Sequence, residues 1–201
     1  MYRKIIKRIL DLTGAALLLI LLSWLLLLLA AAVKLDSKGP VFFRQKRVGK
    51  KKNGEITFFP ILKFRTMRTD TPADMPTHLL EDPDRWITKS GAFLRRTSLD
   101  ELPQLFNILA GQMSFVGPRP ALWNQEDLIA ERSKNGSDRC VPGLTGWAQI
   151  HGRDELEISE KAALDGWYAD HCSFLTDFLC LWGTAFAVLK EDGVREGKKD
   201  A

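Results

Sequence analysis

The chain has 201 residues, a length that suits one domain with short attachments. Its formal net charge of +4 fits anionic lipid head groups or a nucleotide. There is no recognisable basic and aromatic motif, so nucleic acid is not expected as a partner. The three cysteines, Cys140, Cys172 and Cys180, lack metal-ligand spacing, which argues against a structural zinc site and favours free thiols in a reducing compartment.

An uncharged run over residues 12–33 dominates the N-terminal part of the chain. As a helix this run would extend roughly 33 Å, close to the hydrocarbon thickness of a bilayer. Asp11 lies one helical turn after Lys7 and Arg8, so we expect it either to form ion pairs with them at the membrane edge or to be an ordinary exposed acid. Basic residues flank the run on both sides (Arg3, Lys4, Lys7, Arg8, Lys34 and Lys38).

Three interpretations of this run are open from the residues. A cleaved signal peptide is disfavoured because the apolar stretch is too long. A single-pass helix is one alternative, and a re-entrant hairpin with both ends on the cytoplasmic side is the other, which the basic residues on both flanks favour. Ser23 lies mid-run and can accommodate a bend by bonding to a backbone carbonyl. The next residue is Trp24, not the proline that would break the helix more strongly.

The rest of the chain predicts a helix-dominated α+β domain. A turn at 37–40 ends the membrane helix, and two strands at 41–47 and 56–64 form a β-hairpin around a basic turn at 50–54. A polar, proline-containing segment at 69–83 predicts a loop. Helices are predicted at 86–96, 100–110, 123–134 and 156–168, with a glycine-rich turn at 142–146.

The last apolar segment, 174–189, has a helical stripe of large side chains. Such a stripe is typical of a buried core helix. It is equally typical of an amphipathic interfacial helix in the head-group layer, anchored by Trp182 and Lys190. At this length the segment is short for a second membrane span. The stripe consists of Phe174, Phe178, Leu181, Trp182, Phe186 and Leu189.

The adjacent acids Asp100 and Glu101 are the best candidates for chemistry. Pro103 is tolerated in the first turn of a helix, so the helix is predicted to begin at Ser98 or Leu99, with both acids at the positive end of its dipole. Ser98 and Glu101 also have the spacing of a capping box, which is a purely structural alternative.

Arg95 and Arg96 precede the acidic pair and are expected to keep Asp100 ionised by lowering its pKa. An ionised aspartate beside cations can attack phosphorus and form an acyl phosphate. It can equally bind a divalent cation that bridges phosphate oxygens.

Further cations are distributed around this pair in the sequence. Arg119 stands between Pro118 and Pro120, and a stiff backbone around one guanidinium suits bidentate phosphate contact. Lys63 and Arg65 alternate at the end of a predicted strand and should point to one face. Several cations around one acidic pair indicate a phosphate site better than any of them alone.

Other candidates have weaker support. The turn at 142–146, which contains Thr145, either wraps a nucleotide or sugar or is a simple tight turn. His151 is expected to be structural. Asp165, Tyr168 and Asp177 are expected to serve packing or capping.

Taken in order, these motifs resemble the bacterial sugar transferase family, and most of all its small, PglC-type monotopic phosphoglycosyl transferases. The resemblance covers nearly the whole chain. One departure is that family members usually carry Ser-Pro in the middle of the membrane helix, where this chain has Ser23-Trp24. The matching motifs are Lys7-Arg8-x-x-Asp11, Gln45-x-Arg47-x-Gly49, Lys63-Phe64-Arg65-Thr66-Met67, Ser98-Leu99-Asp100-Glu101-Leu102-Pro103-Gln104, Ser114-Phe115-Val116-Gly117-Pro118-Arg119-Pro120 and Pro142-Gly143-Leu144-Thr145-Gly146.

The resemblance implies transfer of a phospho-sugar from a UDP-sugar to polyprenol (undecaprenyl) phosphate, with release of UMP, as the first membrane step of glycoconjugate or polysaccharide assembly. It implies that Asp100 is the nucleophile and a Mg²⁺ ligand, and that Glu101 supports the metal or the lipid phosphate. The implied substrate-binding residues are Lys63, Arg65, Arg95, Arg119, Pro120 and Thr145, and the implied membrane residues are Lys7, Arg8, Asp11 and Ser23.

The same resemblance implies a monotopic protein on the cytoplasmic face of the bacterial inner membrane. Its parts would be a re-entrant helix over residues 1–36, a catalytic domain over 37–190 and a polar tail over 191–201. The sugar, the pathway and the oligomeric state stay open, and a homo-oligomer is compatible with the sequence. Two other functions also stay open: a lipid-phosphate phosphatase or pyrophosphatase that uses the same aspartate, and an anchored scaffold that binds anionic lipid.

Overall fold

The computed structural model describes residues 1–71, 85–152 and 156–189. Most of the predicted 69–83 loop, the predicted anchor Lys190 and the predicted 191–201 tail lie outside these residues. Within them the protein has the predicted helix-rich α+β character, with a two-stranded hairpin.

The N-terminal helical segment is broken in two. A π-helical turn at Tyr2–Ile6 runs into α1 (Lys7–Leu21), and α2 (Ser23–Asp36) follows at an angle of 66°. The break is at Leu22, whose ψ of 7° departs from helical geometry. The Ser23 hydroxyl donates to the Ile20 carbonyl at 2.9 Å, so a serine accommodates the bend without a neighbouring proline, as predicted.

No single helix among the described residues is long and apolar enough to cross a bilayer. The two arms of the broken segment reach the length and apolar composition needed to cross a bilayer only when they are taken together. Long apolar side chains on both arms are exposed, among them Ile20, Trp24, Leu27 and Leu28.

Strand β2 (Phe58–Phe64) of the hairpin contributes to the buried clusters against which both arms pack. It pairs antiparallel with strand β1 (Phe42–Val48), with Phe42 opposite Phe64 and Val48 opposite Phe58. This confirms the predicted hairpin, and its strand limits differ by a few residues.

Each arm of the broken helix packs into a different part of the hairpin's core. On α1, Ala15 joins a buried cluster with Phe59 and Ile61 of β2, together with Leu105 and Ile108. On α2, the buried residues Leu29 and Val33 meet Phe64 and Leu94. The 66° angle is therefore fixed by packing on one shared domain, and it does not depend on the local break alone.

The helices of the domain differ from the predictions mainly at their starts. Thr88 caps the first of them by accepting from the Gly91 amide at 3.0 Å, so that helix begins at residue 89. The remaining helices are α3 (Lys89–Arg96), α4 (Gln104–Leu109), α5 (Glu126–Asn135), α6 (Trp147–Ile150), α7 (Ile158–His171) and α8 (Phe174–Leu189), with short 3₁₀ turns at Leu99–Glu101 and Ser137–Arg139.

The predicted helix start at Ser98 or Leu99 is wrong. Ser98 has a left-handed backbone conformation (φ 55°) and makes no capping hydrogen bond, so the capping box does not form. The acids lie in the 3₁₀ turn, and α4 begins only after Pro103. A proline is tolerated both within the first turn of a helix and just before it. The sequence therefore did not distinguish a helix that starts at Ser98 or Leu99 from one that starts after Pro103.

The glycine-rich segment predicted as a turn is a strand. Strand β4 (Gly143–Thr145) pairs in parallel with β3 (Ser114–Val116), and neither strand was predicted. The two segments approach so closely that a Cβ at Gly117, Gly143 or Gly146 would overlap backbone atoms of the opposite segment. Glycine is required here for close approach.

The N-terminal charged residues bind the domain. Asp11 accepts from the Ser114 hydroxyl at 3.1 Å and the Phe115 amide at 3.0 Å. Arg8 donates to the carbonyls of Ile108 and Leu109 at the end of α4. Both alternatives stated for Asp11 are therefore wrong: it is buried, not exposed, and it bonds to Ser114 and the Phe115 amide instead of Lys7 or Arg8.

Lys7 forms a buried ion pair with Asp177 at 2.5 Å. The other carboxylate oxygen of Asp177 accepts from the Tyr168 hydroxyl at 2.7 Å. Asp165 is likewise buried, against Arg132. The packing roles expected for Asp165, Tyr168 and Asp177 are confirmed.

Helix α8 buries one face and exposes the other. Thr176, Asp177 and Cys180 face inward. The large apolar side chains lie outward, so the core-helix interpretation is wrong and α8 is amphipathic. The exposed set is Phe174, Leu175, Phe178, Leu179, Leu181, Trp182 and Phe186.

The buried ion pair generates a stability prediction. Asp177→Asn should lower the free energy of unfolding by about 3–5 kcal/mol, because it leaves the Lys7 ammonium buried without its counter-ion. Chemical denaturation of the detergent-solubilised protein measures this. Lys7→Met combined with Asp177→Leu should recover most of the loss. Asp70→Asn, in the exposed pair with Arg68, should leave the midpoint unchanged.

Candidate active site

The adjacent carboxylates of Asp100 and Glu101 face the end of the hairpin. Lys63, near the end of β2, places its ammonium 2.7 Å from Glu101 Oε1 and 3.7 Å from Asp100 Oδ2. Arg119 donates to the same Glu101 oxygen at 2.9 Å. The structure therefore brings together four of the predicted site residues, from three separate parts of the chain.

The two carboxylates are held in different ways. Glu101 accepts charged hydrogen bonds from Lys63 and Arg119. Among the described residues, no hydrogen bond reaches the Asp100 carboxylate, although its side chain is only 12% exposed. Asp100 is therefore a buried carboxylate with oxygens that a ligand can use, whereas Glu101 is committed to its cations.

This difference separates the pKa values of the pair. Burial raises the pKa of Asp100 and the nearby Glu101 charge raises it further, while Lys63 and Arg95 only partly oppose the shift. Burial also disfavours ionised Glu101, but Arg119 and Lys63 outweigh it and hold the Glu101 pKa well below its usual range. Arg95 does lower the pKa of Asp100, but the predicted net lowering is wrong, because desolvation by burial outweighs the nearby cations.

A buried asparagine fixes the acidic turn relative to the hairpin. Asn107 on α4 accepts from the Leu62 amide at 2.9 Å and donates to the Pro60 carbonyl at 2.9 Å. It therefore bonds to β2 on either side of Ile61, two residues before Lys63. The sequence reasoning missed Asn107. A polar residue between Leu105 and Ile108 on an apolar helix face was the available signal.

Arg119 is positioned through its backbone. Its carbonyl accepts from Arg132 at 2.9 Å, and Arg132 forms a buried ion pair with Asp165 at 2.6 Å. The Arg119 side chain is 42% exposed, so it can reach both Glu101 and a ligand from outside. Arg132 was not identified from the sequence: it lies on the buried face of its helix, one turn after Leu128, where a charged residue would not be expected.

Arg47 links the hairpin to the Arg119 loop. It donates to the Pro120 carbonyl at 3.0 Å and to Gln45 Oε1 at 2.6 Å. Burial, helped by the neighbouring Arg119 charge, lowers the pKa of Arg47 to about 10. Pro120 therefore contributes a backbone acceptor, a role that its side chain does not suggest.

Arg95 lies on the other side of the acids. Its Nε donates to the Thr66 hydroxyl at 2.9 Å, and its charge acts on Asp100. Together, Lys63, Arg95 and Arg119 surround the acidic pair with positive charge. This arrangement can lower the repulsion between a carboxylate and an approaching phosphate.

Arg65 and Thr145 have their contacts elsewhere. Arg65 is buried and donates to the carbonyls of Ser37, Lys38 and Pro40, at 2.8, 2.9 and 2.7 Å. Arg65 therefore does not join Lys63 at the acids, because its guanidinium is committed to the carbonyls of the 37–40 turn. Thr145 is buried against the Thr184 hydroxyl at 2.5 Å.

The donor set near the acids limits which metal sites are possible. Within the described part of the chain, no group of three or more histidine, cysteine or acidic side chains is arranged to hold a metal ion. Mg²⁺ commonly binds one or two protein carboxylates and completes its shell with water and substrate phosphates. Asp100, whose carboxylate oxygens receive no hydrogen bond from the described residues, fits that mode of binding.

Comparison with known proteins places the chain in a family. The model of the bacterial sugar transferase family matches residues 2–191. An uncharacterized sugar transferase of Bacillus subtilis, EpsL, is 41% identical over 96% of this chain and 91% of its own length.

Two longer relatives have more specific names. The UDP-glucose:undecaprenyl-phosphate glucose-1-phosphate transferase of Escherichia coli is 42% identical over 79% of this chain. The undecaprenyl-phosphate galactose phosphotransferase of Salmonella typhimurium is 36% identical over 77%. The matched region spans 34% of the length of each. The match over nearly the whole chain shows that this protein belongs to the bacterial sugar transferase family.

Proposed function

We propose that this protein transfers a sugar phosphate from a UDP-sugar to undecaprenyl phosphate and releases UMP. The names of the longer relatives support this reaction. The observation that carries the proposal for this chain is the asymmetry of the acidic pair. Glu101 is neutralised by two cations, and Asp100 beside it keeps its carboxylate oxygens available.

In the first step, an Asp100 oxygen attacks the phosphorus that carries the sugar. A bond forms between that oxygen and phosphorus, and the bond from phosphorus to the bridging oxygen breaks. The electron pair leaves with UMP, and an aspartyl phospho-sugar remains. In the second step, a phosphate oxygen of the lipid attacks the same phosphorus, and the bond to Asp100 breaks.

The surrounding cations suit both steps. Lys63 and Arg119, held in place by Glu101, present positive charge where the diphosphate and the departing UMP accumulate negative charge. Two displacements also let one site serve a soluble donor and a lipid acceptor in turn. Glu101 acts as a positioning residue through these two side chains.

Mg²⁺ is the expected cofactor, with Asp100 as its protein ligand. When bound, it would stabilise negative charge on the diphosphate oxygens. Asp100 has two carboxylate oxygens, so one can bind the metal while the other attacks phosphorus.

The apolar surfaces suit a monotopic placement at a membrane. The bent α1–α2 pair would enter the bilayer and return to the same face, and the exposed face of α8 would lie in the head-group layer. This arrangement would hold the acidic pair near the phosphate of a lipid acceptor, on the cytoplasmic face where UDP-sugars are found.

Substitution of each acid tests the assigned roles. Asp100→Asn should reduce UMP release at least about 10³-fold and abolish the covalent phospho-sugar adduct, because the attacking oxygen is lost. Glu101→Gln should reduce it about 10- to 100-fold while adduct formation persists. The measurement is UMP release from a panel of UDP-sugars with undecaprenyl phosphate and Mg²⁺, together with intact-protein mass spectrometry.

Several outcomes would contradict these roles. An adduct in Asp100→Asn would refute Asp100 as the nucleophile. UMP release that continues through many turnovers without lipid would favour hydrolysis. Wild-type protein that is folded and inactive with every donor would favour a scaffold.

The opposite pKa shifts predict opposite effects on stability. At pH 7 the native state carries the cost of an ionised, buried Asp100, so Asp100→Asn should raise the unfolding midpoint. This gain should vanish as the pH falls below the unfolded-state pKa of aspartate. Glu101→Gln should lower the free energy of unfolding at pH 7 by about 1.5–3 kcal/mol, and this loss should shrink progressively as the pH falls from the unfolded-state pKa of glutamate toward the lower pKa of the folded state. Thermal melts across pH measure both, and shifts of the same sign would contradict the assignment.

Labelling with an impermeant thiol reagent tests the membrane arrangement. In sealed membrane vesicles of known orientation, Lys4→Cys and Lys38→Cys should react from the same, cytoplasmic side, because both arms of the bent pair rest on one domain. Wild-type protein controls for labelling of the native cysteines. Labelling of the two positions from opposite sides would show a spanning helix.

A further inference from the structure

A cavity lined by several charged residues lies beneath the start of α1, away from the acidic pair. Its volume is about 80 Å³, well above the roughly 10–15 Å³ that one water molecule needs. None of Lys63, Asp100, Glu101 and Arg119 lines it. Its charged lining consists of Arg3, Lys7, Arg8, Asp11, Lys50 and Arg139.

The charges around this cavity do not balance. Lys7 alone among its cations pairs with a carboxylate in the described part of the chain, that of Asp177. Asp11, the single acid of the lining, is committed to Ser114 and the Phe115 amide. Four cations therefore face one cavity without a carboxylate partner among the described residues.

Two of these four cations, Arg3 and Arg8, are held by neutral acceptors. Arg3 donates to the Ala169 carbonyl at 3.0 Å and to the Cys140 sulfur at 3.1 Å. Arg8 donates to two carbonyls at the end of α4, and Gly111 leaves room beside its guanidinium. These contacts fix the side chains in position without reducing their charge.

The other two cations, Lys50 and Arg139, are brought to the cavity by contacts between the hairpin tip and a 3₁₀ turn. Lys51 donates its amide to the Asp138 carbonyl at 2.8 Å and pairs with the Asp138 carboxylate at 3.2 Å. This attaches the tip of the hairpin to the 3₁₀ turn Ser137–Arg139. Lys50 and Arg139 are the neighbours of these two residues in the chain, and both side chains are exposed at the cavity.

We propose that this cavity binds a phosphoryl group as a site distinct from the catalytic centre. Like charges assembled around a common space repel one another, and a compact phosphate anion relieves that repulsion. Arginine guanidinium groups match the tetrahedral oxygens of phosphate. The group can belong to free phosphate or to the head group of an anionic lipid, and the site opens beside the helix that leads into the apolar arms.

Titration with inorganic phosphate tests the proposal. The full chain is placed in phosphatidylcholine nanodiscs and titrated with phosphate, which replaces chloride so that the ionic strength stays constant. The rise in the unfolding midpoint reports binding. Lys50→Gln combined with Arg139→Gln should raise the phosphate Kd at least tenfold, and each single change should raise it several-fold. Arg44→Gln combined with Lys52→Gln removes equal charge from exposed positions outside the cavity and should leave the Kd within twofold.

The outcomes are distinct. Phosphate binding that is unchanged in the cavity double variant, or equally weakened in its matched control, overturns the proposal. An unfolding midpoint in chloride equal to that of the wild type shows that a variant is folded. If the double variant is not folded, either single variant is used in its place. Phosphatidylglycerol nanodiscs identify the source: loss of phosphate binding there indicates an occupying lipid head group, and unchanged binding indicates a free phosphate.

Discussion

The structure depends on the packing of two apolar helical arms against one domain, in which strand β2 contributes to both buried clusters. Ala15 on the first arm and Val33 on the second are both nearly inaccessible to solvent, and each lies in a cluster that contains residues of β2. Because the same strand then supplies Lys63 to the acids, the course of the N-terminal helices and the geometry of the site share one rigid element. Movement of either arm would disturb the cation nearest to Asp100.

The site itself divides one task between two adjacent carboxylates. Chemically they are almost equivalent, and their environments make them different. Glu101 orients Lys63 and Arg119, and Asp100 is left buried and without hydrogen bonds from the described residues. A carboxylate of this kind is costly for stability and useful for reaction, as expected where function and folding make opposing demands.

Sequence reasoning succeeded where the signal was local. The hairpin followed from two apolar runs around a basic turn, and Ser23 indicated where a bend could be accommodated without deciding that one occurs. It failed where the determinant was distant in the chain. Asn107 reaches a strand 45 positions earlier, Arg47 bonds to a carbonyl 73 positions later, and the pKa of Asp100 depends on burial that no local pattern reveals. Strands β3 and β4, at three residues each, were too short to show alternation.

The close approach of Gly117, Gly143 and Gly146 affects the entropy of ligand binding. Because the loop that carries Arg119 is pressed against β4 with no space for a side chain between them, its backbone has few alternative conformations in the folded protein. Most of the ordering that a diphosphate would require there has already taken place during folding. Binding at this side of the site should therefore carry a small loss of backbone entropy, and the protein should discriminate between donors by shape without rearranging this loop.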